Sequence, residues 1–127
     1  MAARKNFNTD KAPRMSQVFP QAVIAGNFIF VSGTAGLDPA TGQLISDSFE
    51  EQTRQALHNI KTILEEAGSN MGKVIKTTVW MVAGNEFPIL NKVYSEFFPE
   101  DPPARSAPQT MPFPGGLLVS IECIAMI

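Results

Sequence analysis

The chain has 127 residues, of which 44% are apolar and 17% are charged, and these values are typical of one soluble globular domain spanning residues 1–127. The formal net charge is -2 and the basic residues are scattered, so we expect no row of cations that could neutralise the phosphates of a nucleic acid. A single cysteine excludes an intrachain disulfide, and no apolar run approaches the ~20 residues that a transmembrane helix needs.

Residues 1–16, MAARKNFNTDKAPRMS, form a polar N-terminal segment. They lack the apolar stretch of a secretory signal peptide. Arg4 and Lys5 would suit a mitochondrial transit peptide, but Asp10 and the absence of an amphipathic stripe argue against one. We therefore expect a cytoplasmic protein and keep mitochondrial import as the alternative.

Residues 21–33, QAVIAGNFIFVSG, predict a β-hairpin. Two runs rich in β-branched and aromatic residues are joined there at Ala25-Gly26-Asn27, which is a typical hairpin connection. The following DPATGQ predicts a turn, and Leu44-Ile45 could form a short third strand after it.

Residues 48–69, SFEEQTRQALHNIKTILEEAGS, predict the first amphipathic helix. Ser48 and Glu51 have the spacing of a capping box, and Gly68 is suited to end the helix. The side chains expected on its buried face are Phe49, Thr53, Ala56, Leu57, Ile60, Ile63, Leu64 and Ala67.

Residues 85–98, NEFPILNKVYSEFF, predict the second helix. We expect Asn85 at the N-cap, and Pro88 is tolerated in the first turn. The expected apolar stripe consists of Phe87, Leu90, Val93 or Tyr94, and Phe97.

Three further segments predict strands: KVIKTTVWMV at 73–82, ARSAPQT at 104–110 and LLVSIECIAMI at 117–127. The resulting order is β-β-(β)-α-β-α-β-β. Two one-sided helices fit an α+β fold of two layers, in which both helices pack on one face of a mixed sheet. The other face of the sheet would then be uncovered, which suggests a partner subunit.

The last strand alternates strictly, with apolar residues at 119, 121, 123, 125 and 127. Ser120 and Glu122 should therefore point to the opposite face. A carboxylate in this apolar strand needs a partner, water or an interface. Glu122 is either a hydrogen-bonded interface group, the interpretation we favour slightly, or an acid–base or water-positioning group.

Arg105 follows Pro102-Pro103, which stiffen the backbone. If this segment pairs with the last strand, the guanidinium would lie near that strand's polar face. A rigidly held guanidinium suits bidentate binding of a carboxylate. The alternative is a surface arginine paired with Glu100 or Asp101, and the residues alone do not decide between the two.

Cys123 and His58 are each the single residue of their kind. Cys123 has the alternation of a core residue, which we favour over a nucleophile. His58 has no second ligand nearby and is expected on a helix surface. We therefore expect no metal site and no Ser-His or Cys-His catalysis.

From about Gln17 to Ile127 the chain resembles the RidA/YjgF (L-PSP) family. The motifs that carry the resemblance occur in the family's order and spacing: VSGTAGLDPATGQL, EEQTRQALHNIKTILEEAGS, VIKTTVWM, FPILNKVYSEFF, PPARSAP and LVSIECIA. The resemblance implies a chorismate-mutase-like subunit in a homotrimer with three intersubunit clefts. It also implies hydrolysis of 2-enamine/2-imine acids to 2-keto acids and ammonia, without a cofactor or metal.

The resemblance assigns site residues one by one. Arg105 would bind the substrate carboxylate, and the main chain of Ser32 and Gly33 would line the cleft. Asn91 matches the asparagine of the second helix. Ala107 stands where the family usually has cysteine, and the backbone carbonyl there survives the change.

Two positions depart from the family's pattern in ways that matter for chemistry. Phe19 stands where the family has tyrosine, so a phenolic hydroxyl is missing. Ser120 replaces the glutamate that positions the attacking water, whereas the second glutamate is retained as Glu122. We therefore keep two alternatives to a deaminase: a weak or inactive trimer that binds small carboxylates, and the less favoured endoribonuclease or translation inhibitor.

Overall fold

The computed structural model describes residues 3–127. The strands are β1 (Arg4–Phe7), β2 (Ala22–Ala25), β3 (Phe28–Thr34), β4 (Val74–Val82), β5 (Ala104–Ser106), β6 (Gln109–Thr110) and β7 (Val119–Met126). The helices are α1 (Phe49–Glu66) and α2 (Phe87–Phe97), with short 3-10 helices at Met71–Lys73 and Pro114–Gly116.

The strands form one mixed sheet in the order β1-β2-β3-β7-β4-β5, and β6 also pairs with β4. The pairs of β4 with β5 and β6 are parallel, and the others are antiparallel. α1 packs against β3, β7 and α2, so both helices cover one face of the sheet. The predicted α+β fold of two layers is confirmed.

The inner face of β7 shows why the sheet packs on the helices. Val119, Ile121, Cys123 and Ala125 are all buried, whereas the residues between them are half-buried on the outer face. Each large apolar side chain that leaves water here stabilises the fold by about 1.5–3 kcal/mol. Burial also raises the pKa of the Cys123 thiol to about 12, so this residue is a neutral core side chain and no nucleophile.

The ends of α1 follow from local chemistry. The hydroxyl of Ser48 accepts a hydrogen bond from the Glu51 N–H at 3.1 Å, as predicted. The N–H of Ser48 donates to Ser46 Oγ at 3.0 Å, so the reciprocal half of the capping box does not form. Gly68 follows the helix with a φ of 90°, a left-handed conformation that favours glycine.

Three local predictions were wrong. The N-cap of α2 is Glu86, because the Asn85 side chain donates instead to the Val82 carbonyl at 2.9 Å. Phe87, which was expected on the apolar stripe, lies on the solvent-facing side of the first turn of α2 and is 40% exposed. The expected strand at Leu44-Ile45 is reduced to one isolated bridge between Leu37 and Leu44.

The polar N-terminal segment contains a strand that composition did not indicate. β1 pairs antiparallel with β2 at the edge of the sheet. Arg4, Lys5 and Asn6 are exposed there, and only Phe7 packs against the core. An edge strand needs few apolar side chains, because it faces solvent along one side.

No helix formed by residues 3–127 covers the outer face of the sheet. Its apolar side chains include Phe28, Phe30, Trp80 and Met126, which are between 39% and 44% exposed. In the described part of the chain, no helix is long and apolar enough to span a bilayer.

Candidate functional site

A β-bulge lies at the centre of the outer face. Val31 pairs with Cys123 and Thr34 pairs with Ile121, so three steps along β3 match two along β7. The extra residue falls in the Ser32-Gly33 pair. Bulges of this kind redirect the backbone and are common beside functional sites.

The bulge brings Gly33 against Ser120. A Cβ atom added at Gly33 would lie 2.8 Å from the Ser120 Oγ, which is closer than such contacts occur. The lack of a side chain at position 33 therefore allows the hydroxyl of β7 to approach the main chain of β3. Three predicted site residues, Ser32, Gly33 and Ser120, are neighbours in this structure.

The side chain of Ser32 is occupied by a structural contact. Its Oγ donates to the Pro20 carbonyl at 2.7 Å, and its N–H donates to the Gln21 carbonyl at 2.9 Å. These bonds hold the segment that carries Phe19, whose ring is 41% exposed. Phe19, Ser32 and Gly33 line one small cavity of about 10 Å³, which is room for about one water molecule.

Gln21 lines this cavity and holds the loop beside it in place. Its side chain is buried, and Nε2 lies within 3.1 Å of the carbonyls of Thr9, Ala12 and Pro13. Its Oε1 accepts the Thr9 N–H at 2.6 Å. One carboxamide thus fixes the loop that follows β1, and Pro13 in that loop lines the cavity.

Glu122 lies on the same outer face, two residues along β7 from Ser120. Its Oε1 accepts a hydrogen bond from Trp80 Nε1 at 2.8 Å. Together with Phe30, Lys76 and Thr78 it lines an open depression of about 190 Å³. The carboxylate therefore has a hydrogen-bond partner within its own chain.

Arg105 lies elsewhere, because its segment does not pair with the last strand, which was the condition for placing it near Ser120 and Glu122. β5 pairs with β4, where Arg105 is opposite Thr77, and Thr77 is in turn opposite Cys123 of β7. Arg105 thus shares the helix-covered face, whereas Ser120 and Glu122 point outward. β4 separates the two because the crossover through α2 brings β5 parallel to the free edge of β4.

The guanidinium of Arg105 lies over an aromatic ring. Its central carbon is 4.9 Å from the centroid of Tyr94 on α2. Among residues 3–127 it forms no ion pair, so the surface pair with Glu100 or Asp101 does not form. The side chain is half-buried and fixed on one side, and its N–H donors are not used by another residue of the described chain.

The remaining predicted residues are scattered. Ala107 is half-buried between β5 and β6, two positions after Arg105. Asn91 is exposed on α2 and does not line the cavity at Ser32. His58 is exposed on α1, as expected. No group of three or more potential metal ligands occurs within residues 3–127.

The sequence reasoning missed three residues that shape these regions. Tyr94 was assigned only to the apolar stripe of α2, and Gln21 and Trp80 were not singled out. A buried glutamine beside a strand of apolar residues is a usable signal, because it must find partners. Nothing in the sequence indicates that Tyr94 meets Arg105 or that Trp80 meets Glu122.

Comparisons with known proteins agree with the fold. A family model described as Endoribonuclease L-PSP matches residues 9–127. A RutC family protein of Pyrococcus abyssi is 42% identical over 97% of each chain. A 2-iminobutanoate/2-iminopropanoate deaminase of Rattus norvegicus is 40% identical over 97% of this chain and 90% of its own.

Among solved structures, RidA from an Antarctic Psychrobacter superposes with a TM-score of 0.91. It is 38% identical, and the match covers 97% of this chain and 99% of the other. The similarity to these relatives, in sequence and in structure, therefore extends over nearly the whole chain. The chain belongs to the L-PSP family, which includes RidA and YjgF.

Proposed function

We propose that this protein hydrolyses reactive 2-enamine/2-imine acids to 2-keto acids and ammonia. The observation that carries the proposal is Arg105, a guanidinium held over Tyr94 without an ionic partner in the described chain. A substrate carboxylate would be its missing partner. The relatives named as imine deaminases support the same reaction class.

We propose that the site is shared between the copies of a homotrimer. Arg105 lies on the helix-covered face, whereas Ser32, Gly33 and Ser120 lie on the outer face. A small ligand could contact both groups if they came from different subunits. The exposed apolar side chains of the outer face support this arrangement, because burying them against a neighbour is favourable.

The proposed reaction begins with the substrate carboxylate on Arg105. An enamine substrate takes a proton from solvent at C3 and becomes the iminium form. Water then adds to C2 and its surplus proton moves to the amine. The C2–N bond breaks as the remaining hydroxyl forms the carbonyl and gives its proton to the departing ammonia, so the products are the 2-keto acid and ammonium. Orientation by Arg105 contributes to the rate by positioning. Main-chain groups of Ser32 and Gly33 and the hydroxyl of Ser120 would hold the water.

Ser120 sets an expected limit on the rate. A hydroxyl can hydrogen-bond water but is no effective base at neutral pH, and a general acid–base group typically contributes ~10²–10⁴-fold. Glu122 is about 6–7 Å further along the strand, so it does not replace a carboxylate at position 120. We therefore propose slow turnover.

The deciding experiment supplies 2-aminoacrylate from a pyridoxal-phosphate-dependent dehydratase and follows keto-acid formation. We expect the protein to accelerate the reaction and Arg105→Ala to abolish the acceleration. Lys61→Ala is the control, because Lys61 is an exposed cation on α1 that forms no ion pair with another described residue. No acceleration over buffer with several amino-acid precursors would refute the proposal.

Ser120 also favours a second candidate, a trimer that binds 2-keto acids without turnover. Tight 2-keto-acid binding by an inactive wild-type protein would support it. The family description suggests RNA cleavage as a third candidate, but a net charge of -2 with scattered basic residues provides no path for a phosphate backbone. RNA cleavage that survives Arg105→Ala and separates from the trimer on purification would point to a contaminant.

We also propose a cytosolic location. The one thiol, Cys123, is buried and unpaired, so the fold needs no oxidising compartment. Fractionation of the cells that express the protein tests this, and recovery in mitochondria would contradict it.

A further inference from the structure

The contact between Arg105 and Tyr94 has a property that an ion pair lacks. The ring face attracts the cation electrostatically and accepts none of its directed hydrogen bonds. A guanidinium has five N–H donors in a fixed fork, and stacking leaves this fork available to a carboxylate. A carboxylate from the chain itself would hold the arginine equally well but would compete with a ligand.

The ring of Tyr94 is itself held from two sides. Its hydroxyl and Thr77 Oγ1 are 2.7 Å apart in a buried hydrogen bond. Its ring centroid is 4.7 Å from that of Phe98, at an interplanar angle of 43°. Burial raises the pKa of Tyr94, so the phenol stays neutral at physiological pH.

Thr77 links Arg105 to Tyr94. It is the residue of β4 opposite Arg105 in the parallel ladder, and its side chain bonds the Tyr94 hydroxyl. The strand pairing thus places the backbone of Arg105, and the same residue fixes the surface on which the guanidinium lies. Tyr94 is only 7% exposed, so the ring has little freedom to move away.

We propose that Tyr94 is the positioning residue for Arg105, with Thr77 fixing the ring, and that carboxylate affinity depends on this stack. The ligand class rests on the proposed function, whereas the positioning of the arginine does not. Tyr94 does not touch the reacting atoms, so its removal should affect KM and the Kd for a 2-keto acid far more than kcat.

The first measurement is binding of 2-ketobutyrate to the full-length protein by calorimetry. Tyr94→Leu removes the ring, so that the arginine must be ordered when the ligand binds, and Kd should rise by roughly 3- to 13-fold, the range expected for ordering one long side chain. Tyr94→Phe keeps the ring and should remain within about 2-fold of wild type, since it loses only the hydroxyl contact. Deaminase assays should show the same pattern in KM with kcat nearly unchanged.

Val93→Ala is the matched control, because Val93 is the buried residue that precedes Tyr94 on α2 and carries no ring on which Arg105 could stack. It should lower the thermal midpoint without changing Kd. An equal rise of Kd in Val93→Ala and Tyr94→Leu would overturn the proposal, because the effect would then be general loosening. An unchanged Kd in Tyr94→Leu would overturn it as well.

The second measurement does not depend on the reaction. Nitrogen relaxation of the Arg105 Nε–H should report a rigid side chain in the ligand-free wild type and in Tyr94→Phe, and a mobile one in Tyr94→Leu. If wild type binds and converts no imino or keto acid, the proposed function fails while this result still supports the stack. A mobile Arg105 in the wild type would overturn the stack itself.

Discussion

The bulge on the outer face and the arginine at the β5 edge are built in opposite ways. At the bulge, the hydroxyl and the N–H of Ser32 both donate to main-chain carbonyls of the same chain, and Gly33 leaves space for the Ser120 hydroxyl. At the edge, Arg105 is placed by strand pairing and a ring, and its N–H donors are not used by another described residue. Under the proposed function, the arginine would serve affinity, whereas the bulge would serve the geometry around water.

The largest expected effect separates these two roles. Ser120→Glu adds a carboxylate beside the bulge and should raise kcat by about 10²-fold or more, since it supplies a general acid–base group. KM should change little, because the proposed carboxylate ligand is Arg105 and not position 120. Steady-state kinetics with 2-aminoacrylate measure both values.

Two results bear on that comparison. Activity in Ser120→Glu from an inactive wild type that binds 2-keto acids would favour the binding-only candidate for the natural protein. No gain in kcat would contradict the role assigned to position 120. Ser95→Glu, on the exposed side of α2, is the control for an added charge.

An intermediate effect, on the free energy of unfolding, is expected at Gln21, which holds the loop that lines the cavity beside the bulge. Gln21→Leu leaves the partly buried Thr9 N–H and the buried carbonyls of Ala12 and Pro13 without this partner, and should lower the free energy of unfolding by about 1–3 kcal/mol. Gln17→Leu, at an exposed position nearby, should change it by less than about 0.5 kcal/mol. Urea titration measures both, and equal effects would contradict the role of Gln21.

The smallest effect tests the contact between the two strands of the bulge. Gly33→Ala forces the Ser120 hydroxyl to rotate away, at a cost of about 1 kcal/mol. Ser120→Ala removes the obstructing atom, so the double variant should recover most of that loss. A double-mutant cycle from chemical unfolding gives the coupling, and strict additivity would show that the two residues do not meet.

The sequence predicted what depends on local periodicity. The alternation of β7 was sufficient to place Ser120 and Glu122 on the face opposite Cys123, because the period of a strand is two. The turn at Gly26 and the end of α1 at Gly68 also follow from single residues, and both have positive φ angles.

The features that the sequence did not predict depend on contacts between segments that are distant along the chain. Arg105 would lie near Ser120 only if its segment paired with β7, but β4 lies between them, and no local pattern predicts which sheet edge a three-residue strand will join. β1 was missed because an edge strand with Arg4 and Lys5 looks like a polar tail. The meeting of Tyr94 with Arg105 requires the α2 crossover, which the sequence does not encode in any spacing.

In the proposed homotrimer, Arg105 of one subunit and the bulge of its neighbour would form one site. Arg105→Ala and Gly33→Val each damage one half, and they can be co-expressed with different tags and purified as mixed trimers. If neighbours share the site, each mixed trimer regains about one intact cleft of its three. Binding of 2-ketobutyrate at about one third of the wild-type stoichiometry is the predicted result, and no regained binding would contradict the account.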